Sequence, residues 1–139
     1  MSFMKSLDVL SSGMHAQRVR LDVVSTNLAN AETTRTADGG AYKRKEVSFR
    51  AVPIDGRDFD AALKSVEVES VANAPVPTRQ VYDPAHPDAD PASGLVEMPN
   101  VNVVEEMVDL MTATRSFEAN VTAFEALRQM VNKAMEIGR

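Results

Sequence analysis

The sequence predicts a mainly α chain, in which two long terminal helices form a coiled-coil element with a small, loop-rich β insertion between them. Three observations carry this. From Asn102 to Ile137 no proline or glycine interrupts the chain, and apolar or near-apolar residues recur at steps of three and four. Residues 2–28 follow a seven-residue pattern whose steps alternate four and three. Between these stretches the pattern breaks into Gly- and Pro-containing turns and two runs that alternate with period two. The boundaries fall at 1–30 for the first helix, 31–100 for the insertion and 101–139 for the last helix, with both helices together making one coiled-coil domain.

The first seam comprises Phe3, Leu7, Leu10, Met14, Gln17, Leu21, Val24 and Leu28, and Gln17 is its only polar member. That is narrower than the stripe of a helix lying on a globular core. Gly13 inside it weakens the helix by about 1 kcal/mol relative to alanine. At Asn30 the pattern stops, and Gly39-Gly40 in the following stretch permit positive φ. Tyr42 to Phe49 alternates with Val47 and Phe49 on one side, as a strand does. Pro53, Asp55-Gly56 and Asp58 mark a turn. Leu63 to Val71 alternates again, with Val66 and Val68 opposite Glu67 and Glu69. Pro75 and Pro77 lead into a short run, Thr78 to Tyr82. The stretch Asp83 to Gly94 holds Pro84, Pro87 and Pro91, which exclude regular structure there.

Asn102 is a good N-cap, and Glu105 sits where a capping-box carboxylate returns to the cap's N–H. The last helix then presents Met107, Leu110, Thr114, Phe117, Val121, Phe124, Leu127, Val131 and Ala134 on one face. At about 1.5 Å per residue it is roughly 50 Å long. A helix of that length with one apolar stripe needs a partner along all of it. The first helix is the obvious mate, in an antiparallel pair, although the pattern leaves open whether pairing occurs within or between copies.

Composition narrows the function classes. A net charge of -5 argues against a nucleic-acid partner, which calls for a basic face. The absence of cysteine excludes disulfides and thiolate metal sites. No apolar run of about 18 residues is present, so no segment is expected to span a bilayer. The first residues lack the apolar core of a cleavable secretory signal. The expectation is a protein that stays in the cytoplasm or leaves by a route reading no such signal.

Asp83, His86, Asp88 and Asp90 form the one cluster with ligand chemistry, since closely spaced carboxylates and an imidazole can hold a divalent cation. The simpler account is a surface turn in which Asp side chains cap loop N–H groups. It is preferred because no calcium-loop spacing accompanies the cluster. The basic run Lys43, Arg44, Lys45 beside Tyr42 could touch phosphate, but in an acidic chain a solvated or salt-bridged face fits better. His15 has no partner at helical spacing and reads as a surface residue. No nucleophile elbow or phosphate loop exists, so neither an enzyme nor a cofactor is expected. The methionines of both helices serve equally as core filling and as adaptable contacts for several neighbours. A soluble coiled-coil adaptor is the remaining alternative.

These residues resemble the bacterial flagellar basal-body rod proteins, and within that family a proximal-rod member. The resemblance is carried by SGMHAQRVRLDVVSTNLANAETTRT (Ser12 to Thr36), then YKRKEVSF, VYDPAHPDADP (Val81 to Pro91) and the stretch Met98 to Met130. It marks Asn27, Asn30, Thr33, Thr34, Tyr42, Lys43, Asp83, Pro84, Asn100, Asn102, Glu105 and Glu106 as family-motif residues. It covers nearly the whole chain, and residues 50–80 are its least distinctive part. Leu95 stands where the family more often has an aromatic. The resemblance implies a non-enzymatic rod subunit of the shaft that carries torque from motor to hook. It implies export through the flagellar type III apparatus without cleavage, and a basal-body rod crossing the periplasm. Its implied partners are further copies, other rod subunits, and the rod-base adaptor and export gate, with no nucleic acid and no membrane insertion. The apolar stripes of the two helices give the expected subunit interface: Phe3, Leu7, Leu10, Met14, Leu21, Val24 and Leu28 with Met107, Leu110, Phe117, Val121, Phe124, Leu127 and Val131.

Overall fold

A computed structural model describes residues 3–54 and 63–137. The order is α1 (Phe3–Ala29), β1 (Lys45–Pro53), β2 (Lys64–Asn73), β3 (Arg79–Tyr82), β4 (Leu95–Met98) and α2 (Val103–Ile137). Two terminal helices thus bracket a small β insertion, as the periodicities require. Strands β1 and β2 form one antiparallel two-stranded sheet, and β3 and β4 form another. The turn residues Asp55, Gly56 and Asp58 lie outside the described residues. Among the described residues no helix is long and apolar enough to cross a membrane.

Contacts divide the chain into two compact units. The first takes the described parts of Met1–Leu21, Val47–Ser70 and Met111–Arg139, and the second takes Asp22–Glu46 and Val71–Leu110.

In the first unit the hairpin strands show their period two. Val47 and Phe49 on β1 are half-buried, as are Val66 and Val68 on β2, while Glu67 and Glu69 face solvent; Val52, also half-buried, is out of that phase. The Ser12 hydroxyl joins helix to strand, donating to Val9 O at 2.8 Å and accepting from Val66 N–H at 3.1 Å. The Arg20 guanidinium lies 5.8 Å from the centre of the Phe49 ring, within cation–π reach. Gly13 has a packing reason to sit inside α1: a Cβ there would lie 3.2 Å from Asn120 Nδ2 on α2. Ala16 and Ala113 are this unit's deepest apolar side chains.

The second unit has a thin core of Val23, Val24, Ala31, Ala41, Ala74 and Val96. After α1 the chain reverses through bonds that close on themselves. Thr33 N–H reaches Asn30 O at 3.1 Å, and Tyr42 N–H returns to Thr33 O at 3.0 Å. Gly39 and Gly40 take φ of 85° and 79° between them. β1 starts at Lys45 rather than Tyr42, whose backbone N–H is taken by Thr33 O in the preceding turn. β3 realises the short run at 78–82. β4 was not foreseen, and it pairs antiparallel with β3 in the register Arg79↔Met98 to Tyr82↔Leu95. The connecting stretch 83–94 is a set of turns, consistent with its prolines.

Candidate functional site: a buried polar clasp and a half-covered seam

Within the second unit, four side chains distant in sequence meet. Asn27 near the end of α1 is 1% exposed. Its Nδ2 donates to Lys45 O at 2.9 Å and to Glu106 Oε2 at 3.1 Å. Its Oδ1 accepts from the Tyr42 hydroxyl and from Lys45 N–H, both at 2.9 Å. An amide has two donors and two lone pairs, so the hydrogen-bonding capacity of Asn27 is fully used. Glu106 on α2 is also 1% exposed, and its Oε1 accepts from Arg44 Nε at 2.7 Å. A carboxylate this deep persists because it is both paired and hydrogen-bonded.

The electrostatics follow. Burial, and then the nearby Glu106 charge, push the Tyr42 hydroxyl above its ordinary value. Burial alone would disfavour the Arg44 charge. The hydrogen bond and charge of Glu106, with Glu46 and Asp109 behind them, outweigh it and hold the guanidinium protonated above its usual range. The arrangement binds α1, the start of β1 and the first turns of α2 together, and it has no reactive group poised for covalent chemistry.

Three of the motif residues, Asn27, Tyr42 and Glu106, therefore converge. Arg44 completes the set, and of the two settings expected for the basic run, solvated or salt-bridged, it takes the second. The available signal was period two, which puts Tyr42 and Arg44 on one face. Lys43 and the Lys45 side chain do face solvent. Asn30 and Thr33 shape the turn, with Thr33 Oγ1 donating to Asn30 Oδ1 at 3.2 Å and Asn30 Nδ2 to Thr26 O at 2.9 Å. Asn102 caps α2 through Oδ1, which accepts from Val104 N–H at 3.1 Å. The expected return bond from Glu105 is not among the hydrogen bonds of the described residues, and Glu105 points to solvent. The next carboxylate, Glu106, is the one that turns inward. Asn100 and Pro84 are exposed outside these sets.

The Asp/His stretch is occupied with holding its own loop. Asp83 Oδ1 accepts from Ala85 N–H at 3.2 Å, and His86 Nδ1 from Asp88 N–H at 3.1 Å. Thr34 Oγ1 donates to Asp88 Oδ2 at 2.8 Å. The Ser93 hydroxyl and Ala92 N–H on Asp90 hold that carboxyl below its ordinary value. Among the described residues no three His, Asp or Glu side chains are grouped to hold a metal ion.

The seam residues behave differently from the clasp. Phe3, Leu7, Leu10, Met14, Leu21 and Leu28 are only half-buried within the single chain, and of that seam Val24 alone is fully covered. On α2, Leu110, Phe117, Val121, Phe124, Leu127 and Val131 are likewise half-buried, while Met107 is 50% exposed and Thr114 and Ala134 face solvent. Val104, Met107, Val108 and Met111 form an exposed apolar strip at helical spacing.

Comparison with known proteins agrees with this layout. Residues 7–35, which include Asn27 and Asn30, match the family model described as flagella basal body rod protein. Residues 92–137, which include Asn102 and Glu106, match that described as flagellar basal body rod FlgEFG protein C-terminal. The flagellar basal-body rod protein FlgC of Bacillus subtilis is 43% identical over 154 residues, covering 100% of both chains. That of Borreliella burgdorferi is 40% identical over 99% of this chain and 98% of its own length. That of Salmonella typhimurium is 38% identical over 100% of both. The chain belongs to the FlgC family of flagellar basal-body rod proteins.

Proposed function

We propose that this chain, a structural subunit of the flagellar proximal rod and not an enzyme, polymerises through its terminal helices into the helical shaft that passes motor torque to the hook. The observation that carries the proposal is the half-covered seam: in a chain related end to end to rod proteins, Leu7, Leu10, Met14 and Leu21 keep apolar surface in contact with water. Covering such surface against a neighbour is worth about 25 cal/mol per Å². A head-to-tail contact whose rotation does not close a ring extends into a helical filament. In this account α1 and α2 make the coiled-coil element, and the interface is the set Phe3, Leu7, Leu10, Met14, Leu21, Val24, Leu28, Met107, Leu110, Phe117, Val121, Phe124, Leu127 and Val131. The clasp at Asn27 and Glu106 presents the two helices together.

Other rod subunits are the partners, with the rod-base adaptor and the export gate below them. The rod crosses the periplasm, and the chain reaches it through the flagellar type III apparatus with no cleaved signal. Family membership supports this part of the proposal.

Replacing Leu21 with Asp tests the seam, because it sets an unpaired charge in an apolar contact. The expected outcome is a chain still exported but missing from isolated basal bodies, in cells that do not swim. Functional rods built from Leu21→Asp would refute the seam as the interface.

A further inference from the structure

We infer that Gln17 fixes the register in which a second copy of this chain covers the α1 seam, with Thr114 on that copy's α2 as its partner; this rests on the assembly proposed above. Gln17 is the only polar member of its seam and is half-buried there between Met14 and Leu21. Its Oε1 is buried with no hydrogen-bond partner, and among the described residues no other buried side-chain nitrogen or oxygen is left so. Its Nε2 also bonds to nothing among the described residues, and it keeps a contact with water. The amide therefore stands across the wall of the seam, carbonyl inward and NH2 outward.

That outward NH2 selects what can cover it. An apolar surface laid over Gln17 would strip its Nε2 of water and leave both ends of the amide unpaired, which is costly. A neighbour with an oxygen at that level satisfies the NH2 and adds no new unpaired group. One polar side chain at an otherwise apolar coiled-coil position specifies register in this way, at a cost in stability. The α2 stripe also holds one polar side chain, Thr114, and it faces solvent. Its hydroxyl oxygen has two lone pairs and can accept from Gln17 Nε2 wherever its own proton is directed. Run in opposite directions, the two stripes keep step when Gln17 stands opposite Thr114: Leu21 then meets Leu110, Met14 meets Phe117 and Leu7 meets Phe124. A slip of one heptad sets Gln17 against Val121 or Met107 and puts an amide on hydrocarbon. Within one chain the match is not made. There α1 approaches α2 through Gly13 and Asn120, one position off both stripes, and Gln17 and Thr114 share no bond. The pair is left for a neighbour to complete.

Cysteine pairing tests the contact directly, because the chain has no cysteine of its own. A chain carrying both Gln17→Cys and Thr114→Cys, treated with a mild oxidant in isolated basal bodies, is expected to run as a ladder of linked copies on a non-reducing gel. Unlinked copies, or a link closed within one chain, would overturn the inference. Thr114→Val removes the acceptor at a solvent-facing position. It is expected to melt like the parent chain while its recovery in basal bodies falls about tenfold, the size of one unpaired amide group. Adding Gln17→Leu to Thr114→Val is expected to restore recovery, since apolar then meets apolar, and no restoration would overturn the pairing. Gln17→Leu alone is expected to raise the melting midpoint by about 4 °C, because the unpaired carbonyl is gone; an unchanged midpoint would refute the premise. Should the double-cysteine chain be missing from basal bodies, the rescue by Gln17→Leu decides. Leu21→Asp, run alongside, separates the two claims: its normal incorporation defeats the seam, whereas its exclusion together with parental recovery of Thr114→Val defeats the register pair alone.

Discussion

Replacing Asn27 with alanine would sever four hydrogen bonds at once. Two run to the Lys45 backbone at 2.9 Å each, one comes from Tyr42 at 2.9 Å and one reaches Glu106 at 3.1 Å. At about 1 kcal/mol net per bond the loss is about 4 kcal/mol. A water entering the vacated space would recover part of it, so we expect a cost of about 2–4 kcal/mol. That is a large share of the ~5–15 kcal/mol typical of a folded domain. Glu106→Gln makes the informative contrast. It keeps the shape and an acceptor for Asn27 but gives up the charge facing Arg44. The Arg44 side chain is 28% exposed and can rehydrate, so about 1–2 kcal/mol is expected. Urea unfolding followed by far-ultraviolet circular dichroism gives both values. Hydrogen exchange at the Lys45 amide, which Asn27 Oδ1 holds, reports locally. An Asn27→Ala chain within about 1 kcal/mol of the parent, with Lys45 protection unchanged, would refute the clasp as a source of stability. A Glu106→Gln cost exceeding that of Asn27→Ala would mean that charge, not hydrogen-bond geometry, holds the site.

Two further outcomes follow from the same geometry. The folded chain keeps the Tyr42 proton that the unfolded chain releases near pH 10.0. Stability from that group is therefore intact below this pH and declines as pH rises through the raised folded value. Tyr42→Phe should flatten the alkaline decline, and an unaltered slope would rule Tyr42 out as its source. Asn102→Ala removes the acceptor for Val104 N–H and should cost about 1 kcal/mol in urea unfolding. No change would show that solvent caps α2 equally well.

The helices were legible because they are long and strongly patterned. α1 ends at Ala29 and α2 starts right after Asn102, within a residue or two of where the periodicity and the cap placed them. The hairpin strands were legible from Val47 and Phe49 and from Val66 and Val68. β4 was not, since Leu95–Met98 is four residues with no alternation of its own and exists only through β3. On α2 the deeply buried positions are Glu106 and Ala113, one residue before Met107 and Thr114 of the expected stripe. A stripe drawn through the largest apolar residues misses a small side chain that permits close approach and a charge that is paired. The clasp was legible only as separate motif residues. Its members lie 15, 62 and 79 positions apart, and no local pattern reports a meeting at the longer distances. A run of three basic residues admits a salt bridge, but nothing local tells that Arg44 is the one that makes it or that Glu106 is its partner.

The distance of 79 residues between Asn27 and Glu106 also sets a clock. A ribosome adding about 5–20 residues per second reveals the asparagine some 4–16 s before the glutamate. During that interval Arg44 lacks the Glu106 carboxylate and Asn27 one of its two acceptors, so the clasp stays incomplete. The joint that ties the end of α1 to α2 closes only when the final third has been made.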